Sequence, residues 1–354
     1  ATPVAIMVGT GKGAENGILI KSAESLETAH TIQTVVLDKT GTVTEGKPRV
    51  TDILTVQGIS EQQLLAAAAS IEKPSEHPLA DAIVEEAEKR GVSLYSVQSF
   101  ETIAGQGIKA VLDGKTLFAG NRKMMEQNRI PLDAFAETGD TLSEQGKTPL
   151  FFAQDGRMLG VIAVADTIKP TSRAAIDALK SMGIDIVMLT GDNRRTAEAI
   201  RRQLGIDRVV AEVLPQAKER EVAAIQAQGR KTAMIGDGIN DAPALTRADV
   251  GIAIGAGTDI AIESADIVLM KSDLLDAVTA IELSRAVIRN IKENLFWAFF
   301  YNSIGIPLAA GVLFPVLGLK LNPMFAAAAM SMSSVCVVTN ALRLKLFVPR
   351  RQSL

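Results

Sequence analysis

Between Leu295 and Leu317 the sequence carries no charged residue, and between Pro323 and Leu342 it carries none either. About 20 apolar residues let a helix cross a hydrocarbon core, so each stretch predicts a membrane span. The joining segment holds one cation, Lys320, whereas Arg285, Arg289 and Lys292 precede the first stretch and Arg343, Lys345, Arg350 and Arg351 follow the second. Cations collect on cytoplasmic flanks, so both ends of this hairpin are expected in the cytoplasm, in a plasma (inner) membrane. The other arrangement open to such stretches is a buried helical hairpin of a water-soluble protein.

The hairpin accounts for an unusual average: with 22% charged residues, the mean hydropathy is still +0.20. The rest of the 354 residues is long enough for two or three domains with their own cores. Charge is nearly balanced, 37 Lys+Arg against 40 Asp+Glu, which leaves no electrostatic footprint for nucleic acid. One cysteine, Cys336, and two histidines exclude a disulfide framework and a Cys/His zinc site. At the other end, Ala1 to Val8 is apolar but too short to span, and reads as the tail of a helix.

From about 33 to 278 the pattern is α/β. Short β-branched runs, TVVLD at 34–38, IDIVML at 184–189 and KTAMIGD at 231–237, alternate with helical stretches such as SRAAIDALKSM and RRTAEAIRRQL. That alternation predicts a doubly wound parallel sheet. Between Pro48 and Val161 it gives way to two helices and hairpin-like segments, with Asp113-Gly114 placed for a tight turn, which predicts an inserted domain. The expected organisation is a helix end and linker (1–32), a core domain (33–48 and 162–278), an inserted α+β domain (49–161), and a membrane hairpin with its flanks (279–354).

Ligands of open parallel sheets collect at the carboxyl ends of the strands. The runs here end in Asp38-Lys39-Thr40-Gly41-Thr42, Thr190-Gly191-Asp192-Asn193 and Gly236-Asp237-Gly238-Ile239-Asn240-Asp241, with Lys218 between the last two. A carboxylate nucleophile, hydroxyl and amide donors, a lysine and a second acidic cluster for Mg²⁺ are what phosphoryl transfer to an aspartate requires. Each Asp alone would more often cap a helix or close a turn. A competing fingerprint, Gly9-Thr10-Gly11-Lys12-Gly13-Ala14, fits a dinucleotide loop, but the acid it would need at Asp38 belongs to the stronger set.

DKTGTVTEGKP, TGDN and GDGINDAP resemble the three signatures of the P-type ATPases, whose catalytic core is a haloacid-dehalogenase-like fold carrying an inserted nucleotide-binding domain. In the wider dehalogenase group an acid/base Asp follows the nucleophile by two residues; this chain has Thr40 there, which favours a long-lived aspartyl phosphate. The resemblance implies that Asp38 attacks the γ-phosphate of ATP, that Asp38, the Thr40 carbonyl and Asp237 hold Mg²⁺ with Asn240 and Asp241 in support, and that Lys39, Thr190, Gly191 and Lys218 steady the transferring group. Asp192 is expected at the nucleotide or the domain hinge.

Ser75-Glu76-His77-Pro78-Leu79 resembles the motif of heavy-metal members of that family. Taken alone, His77-Pro78 is a helix start and Gly-x-Gly a weak phosphate-loop signal. The resemblance makes Glu72, His77, Gly105, Gly107, Gly120 and Asn121 nucleotide contacts.

The two apolar stretches contain no Asp, Glu, Lys, Arg or His, so they offer poor ligands to hard cations. What they offer is Tyr301-Asn302 and Met330-Ser331-Met332-Ser333-Ser334, with thioethers suited to Cu(I) or Ag(I). Met330 and Ser334, four apart, share a helix face. A methionine in an alanine-rich span is ordinarily packing. Similarity to the copper-exporting subgroup implies a Cu(I) site at Tyr301, Asn302, Met330 and Ser334. It also implies a Cys-Pro-Cys motif shortly before Ala1-Thr2-Pro3, earlier membrane helices, a dephosphorylating loop and a copper chaperone as partner. Cys336 lies outside the matched positions and reads as packing. A membrane-tethered phosphatase, a zinc- or cadmium-type pump and a nucleotide-binding regulator are the alternatives.

Overall fold

The computed structural model describes residues 2–75, 77–237, 240–255, 259–310 and 323–349. They fall into two compact units, one of Ala1–Leu37, Asp177–Ile186 and Pro215–Leu354, the other of Asp38–Ile176 and Val187–Leu214.

In the first unit α1 (Thr2–Glu15) leads through β1 (Ile18–Ile20) and α2 (Ala23–Ala29) to β2 (Thr34–Asp38). Later in the chain come β9 (Asp185–Leu189), α9 (Lys218–Gln226), β11 (Thr232–Gly236), α10 (Ala242–Arg247), β12 (Val250–Ile254), α11 (Asp259–Ser264) and β13 (Ile267–Leu269). Every residue of β2, β11 and β12 is buried, as expected for strands covered on both faces. Strand β11 pairs in parallel with β2 and with β12, β12 with β13, and β1 closes the edge antiparallel to β13. Beside β2, β9 starts with the Asp185 N–H donating to the Gln33 carbonyl. This is the doubly wound parallel sheet expected from the sequence. The dinucleotide-like glycines lie inside α1, where they form helix and not a strand-to-helix loop.

The second unit carries a six-stranded antiparallel sheet among the described residues, ordered β3-β8-β7-β6-β5-β4. Its strands are β3 (Thr44–Thr55), β4 (Val97–Ile103), β5 (Gly107–Leu112), β6 (Lys115–Gly120), β7 (Thr148–Gln154) and β8 (Arg157–Ile168). Asp113 and Gly114 both take positive φ, 49° and 72°, the two-residue turn that joins β5 to β6. One face packs on α3 (Glu61–Glu72) and α4 (Pro78–Lys89), where Leu65, Ile71 and Ile83 meet Ile108, Leu117, Phe152 and Ile162. On the other face Phe151, Ala153 and Val161, one step along the same strands, join Met125 and Leu142 of α5 (Arg122–Gln127) and α6 (Phe135–Glu144). The sequence pattern predicts only two helices here; the two it misses are shorter, α5 with six residues and α6 with ten.

After β8, α7 (Ser172–Ser181) begins. The end of β9 pairs in parallel with β10 (Arg208–Val210), and between them α8 (Arg194–Leu204) is capped by the Asn193 side chain and closed by Gly205 at φ 67°, a left-handed stop that glycine takes without strain.

α12 (Leu274–Ala309) is continuous where the sequence suggests a helix starting near 295. The run SRAVIRNIKENLFWAFFYN holds no breaker before Pro307, so the helix of the first unit extends without a boundary. α13 (Pro323–Leu342) coincides with the second apolar stretch. Asn290 Nδ2 donates to the Asn340 carbonyl at 2.8 Å, and Asn340 Nδ2 to Asn294 Oδ1 at 2.9 Å, tying the two helices together. Among the described residues no helix is long and apolar enough to cross a membrane; residues 311–322, which complete the first expected span, lie outside them.

Candidate active site

In the second unit Asp38 is 5% exposed at the carboxyl end of β2. The chain then kinks: Thr40 leaves helical geometry and Gly41 takes φ 73°, a left-handed position that favours glycine. Side chains from the end of β8 fasten the kink. Lys169 Nζ donates to the Gly41 carbonyl at 2.5 Å, Ser172 Oγ to the Val43 carbonyl at 2.7 Å, and Asp166 accepts from the Thr44 hydroxyl and, at 3.0 Å, from the Gly46 N–H. Sequence reasoning misses Asp166, Lys169 and Ser172, which lie some 120 to 130 positions from the loop they hold.

Lys39 Nζ pairs with Asp192 Oδ2 at 2.7 Å, with little of either side chain exposed. The Asp192 backbone N–H donates to Thr190 Oγ1 at 3.1 Å, and Thr190 is 2% exposed. The structure thus joins Lys39, Thr190, Gly191 and Asp192 into one bonded loop system.

In the first unit Lys218 Nζ donates to Asp241 Oδ1 at 2.7 Å; Asp241 is fully buried and its Oδ2 has no hydrogen-bond partner. A buried pair with one orphaned oxygen retains capacity for a further donor or cation. A Cβ on Gly236 would fall 2.3 Å from Asp241 Oδ2, so the strand needs glycine there. Asp237 is half-buried and Asn240 exposed, while Gly238 and Ile239 lie outside the described residues. In the register of β11 and β2, Ile235 stands opposite Leu37.

Of the nucleotide candidates, Gly105, Gly107, Gly120 and Asn121 lie on or beside β5 and β6, whereas Glu72 ends α3 and His77 precedes α4. Gly107 and Gly120 are direct partners on β5 and β6. A Cβ on Gly107 would lie 2.0 Å from the Ala119 carbonyl oxygen and one on Gly120 2.3 Å from that of Gln106, so both positions require glycine. The Asn121 N–H donates to the Gln106 carbonyl and Asn121 Nδ2 to the Gly105 carbonyl, each at 2.9 Å. His77 caps α4, its Nδ1 accepting the Leu79 N–H at 3.2 Å. Glu72, at the end of α3, is 7% exposed, and burial pushes its carboxyl up to about 7. Glu76 lies outside the described residues.

Tyr301 and Asn302 are exposed on α12, with Asn302 Nδ2 donating back to the Ala298 carbonyl at 2.8 Å. A cavity of about 210 Å³ between α12 and α13 is lined by Asn294, Trp297, Tyr301, Ser333, Cys336 and Asn340. Cys336, expected as packing, is instead exposed and borders this cavity. Ser334 is exposed, and the Met330 side chain lies outside the described residues. Among the described residues no group of three or more His, Cys, Asp or Glu side chains is arranged to hold a metal.

The family described as haloacid dehalogenase-like hydrolase matches residues 32–249, and a second of the same description matches 218–281. The chain is 51% identical over 345 residues to a copper-exporting P-type ATPase of Bacillus subtilis (strain 168), covering 98% of this chain and 42% of that protein. It is 49% identical over the same length and coverage to a silver-exporting P-type ATPase of Salmonella typhimurium. The crystal structure of a zinc-transporting PIB-type ATPase in its E2.Pi state superposes with a TM-score of 0.80 at 39% identity, over 97% of this chain and 55% of that one. The chain spans under half the length of the curated relatives it matches. The chain belongs to the haloacid dehalogenase-like hydrolase family, within the branch that holds the P-type ATPases.

Proposed function

We propose that this chain carries the phosphorylation and nucleotide-binding machinery, and a membrane hairpin, of an ATP-driven exporter of a soft monovalent cation, Cu(I) before Ag(I). The observation that carries the reading is the buried Asp38, set before a kinked loop whose Lys39 is locked to Asp192 of the Thr190 loop. A carboxylate so placed is a nucleophile, not a solvated turn residue.

An Asp38 carboxylate oxygen attacks the γ-phosphorus of ATP; the bond to the β,γ-bridging oxygen breaks and ADP leaves with that electron pair. Thr190 supplies a hydroxyl, and Gly191 a backbone that lets the phosphoryl group approach closely. Lys39 and Lys218 offset the charge on the transferring oxygens. Carboxylates and a carbonyl are hard oxygen donors, and Mg²⁺ is commonly held by one or two carboxylates plus substrate phosphates. Asp38, the Thr40 carbonyl and Asp237, supported by Asn240 and Asp241, fit that requirement. Bound there, Mg²⁺ would neutralise developing charge and align the phosphate. With Thr40 two residues beyond the nucleophile, no acid at that position speeds hydrolysis of the acyl phosphate. Glu72, His77, the Gly105 and Gly107 turn, Gly120 and Asn121 hold the nucleotide.

The membrane assignment rests on α12. Phe296, Trp297, Phe299, Phe300, Tyr301, Ile304 and Ile306 are all between 44% and 71% exposed, an apolar surface that suits lipid or neighbouring membrane helices. The catalytic regions then lie on the cytoplasmic side. Tyr301, Asn302, Met330 and Ser334 are the cation's ligands, and the names of the copper and silver relatives support that cargo. The test is ATP hydrolysis by the full-length protein in sealed vesicles with and without Cu(I). Stimulation with Cu(I) uptake into inverted vesicles is expected; hydrolysis indifferent to Cu(I) and Ag(I) would refute the cargo.

A further inference from the structure

Asp140, on α6, stands between two arginines. Arg122 Nη2 donates to its Oδ1 at 2.8 Å and also to the Ala136 carbonyl at 2.7 Å. Arg195 Nη1 donates to the same Oδ1. The two arginines come from different parts of the second unit. Arg122 directly follows Gly120-Asn121 and is the first residue of α5, while Arg195 is the second residue of α8, next to the Asn193 cap that ends the Thr190 loop. Nearby, Thr196 Oγ1 donates to the Lys147 carbonyl at 3.3 Å, and Gly146 packs where its Cβ would lie 3.5 Å from Ile200. One carboxylate therefore fastens the segment after the nucleotide glycines to the helix after the phosphate loop.

The three side chains are 37% to 58% exposed. Pairs so wet contribute on the order of 0–1 kcal/mol to stability, so a role in holding the fold together is weak. Geometry is the stronger argument. Neutralising Asp140 removes the charge that draws Arg122 and Arg195 to one oxygen, so the link that α6 makes between α5 and α8 loosens. Displacements of about 1 Å can cost up to about 10²-fold in rate when they separate reacting groups.

We propose that Asp140 is a positioning residue for phosphoryl transfer: by bridging Arg122 and Arg195 it sets the nucleotide-holding glycines against the Thr190 loop. The inference rests on the reading of Asp38 as phosphate acceptor and deepens it. Asp140 touches neither nucleotide nor phosphate, so its loss shows in the rate of transfer and not in nucleotide affinity.

The test measures two quantities on the full chain: the single-turnover rate of labelling of Asp38 from γ-labelled ATP, and the affinity for a non-hydrolysable ATP analogue. Asp140→Asn and Arg195→Gln are each expected to slow labelling about tenfold with analogue affinity within about twofold of wild type. The double variant is expected to be no slower than either single one, because both remove the same bridge. Asp140→Glu, which keeps the charge, is expected to return the rate to within about threefold of wild type. Unchanged or faster labelling, an equal fall in analogue affinity, or additive effects in the double variant would overturn the proposal. A wild-type chain that takes no label overturns the phosphorylation reading and this inference with it, whereas normal wild-type labelling with unaffected variants overturns the inference alone.

Discussion

Glu72 shows how burial can set one residue's chemistry. Its carboxyl lies at the end of α3, and burial raises it to about 7 from 4.5. A raised carboxyl contributes stability that is fully present below the unfolded value, near 4.5, and lost as pH rises through about 7. Glu72→Gln, neutral throughout, is therefore expected to match wild type at pH 4 to 5 and to exceed it above pH 8 by up to about 3 kcal/mol. Thermal melts of both chains across that range check it, and parallel pH profiles would contradict it. The resemblance to heavy-metal family members singles out Glu72 in the sequence, but nothing in its local sequence marks it as buried. Asp166 and Lys169 illustrate the same limit. Nothing local marks them as partners of the Gly41 and Gly46 backbone, a relation made only when β8 returns beside β3.

At the scale of elements, the parallel strands were the most legible feature, since strands buried on both faces must be continuous β-branched runs. The β5–β6 turn was equally legible from Asp113-Gly114. Less so was the reason for glycine at 107 and 120, which is the close approach of two paired strands at their ends. Gly107→Ala and Gly120→Ala would each place a Cβ within 2.0 to 2.3 Å of a backbone oxygen that cannot yield. Each is expected to destabilise the sheet by roughly 2–3 kcal/mol and to abolish measurable nucleotide binding. Calorimetric titration with ATP, alongside denaturant unfolding, tests both; full affinity in either variant would contradict the assigned cradle. The continuity of α12 was hidden because the change from charged to uncharged sequence near 295 looks like an element boundary, whereas no proline lies near 295 to interrupt the backbone hydrogen bonds there.

At the scale of the whole molecule, composition separates an uncharged hairpin from a charged catalytic part, and the folded chain keeps that separation along α12, whose apolar residues are exposed beyond Asn294. The two compact units take their residues from three and two separate stretches of the chain, respectively. Cargo selectivity belongs to the full-length exporter proposed above. There Met330→Ala is expected to raise the Cu(I) concentration for half-stimulated ATP hydrolysis at least about tenfold, as loss of a soft ligand would; unchanged stimulation would return Met330 to packing. Beneath every one of these expectations lies a single chemical event, the transfer of phosphate to Asp38. The chain is incubated with Mg²⁺ and γ-labelled ATP, quenched in acid, and treated with hydroxylamine. Acid-stable, hydroxylamine-labile label approaching one phosphate per chain is predicted for wild type and none for Asp38→Asn, while equal labelling of the two would contradict the account.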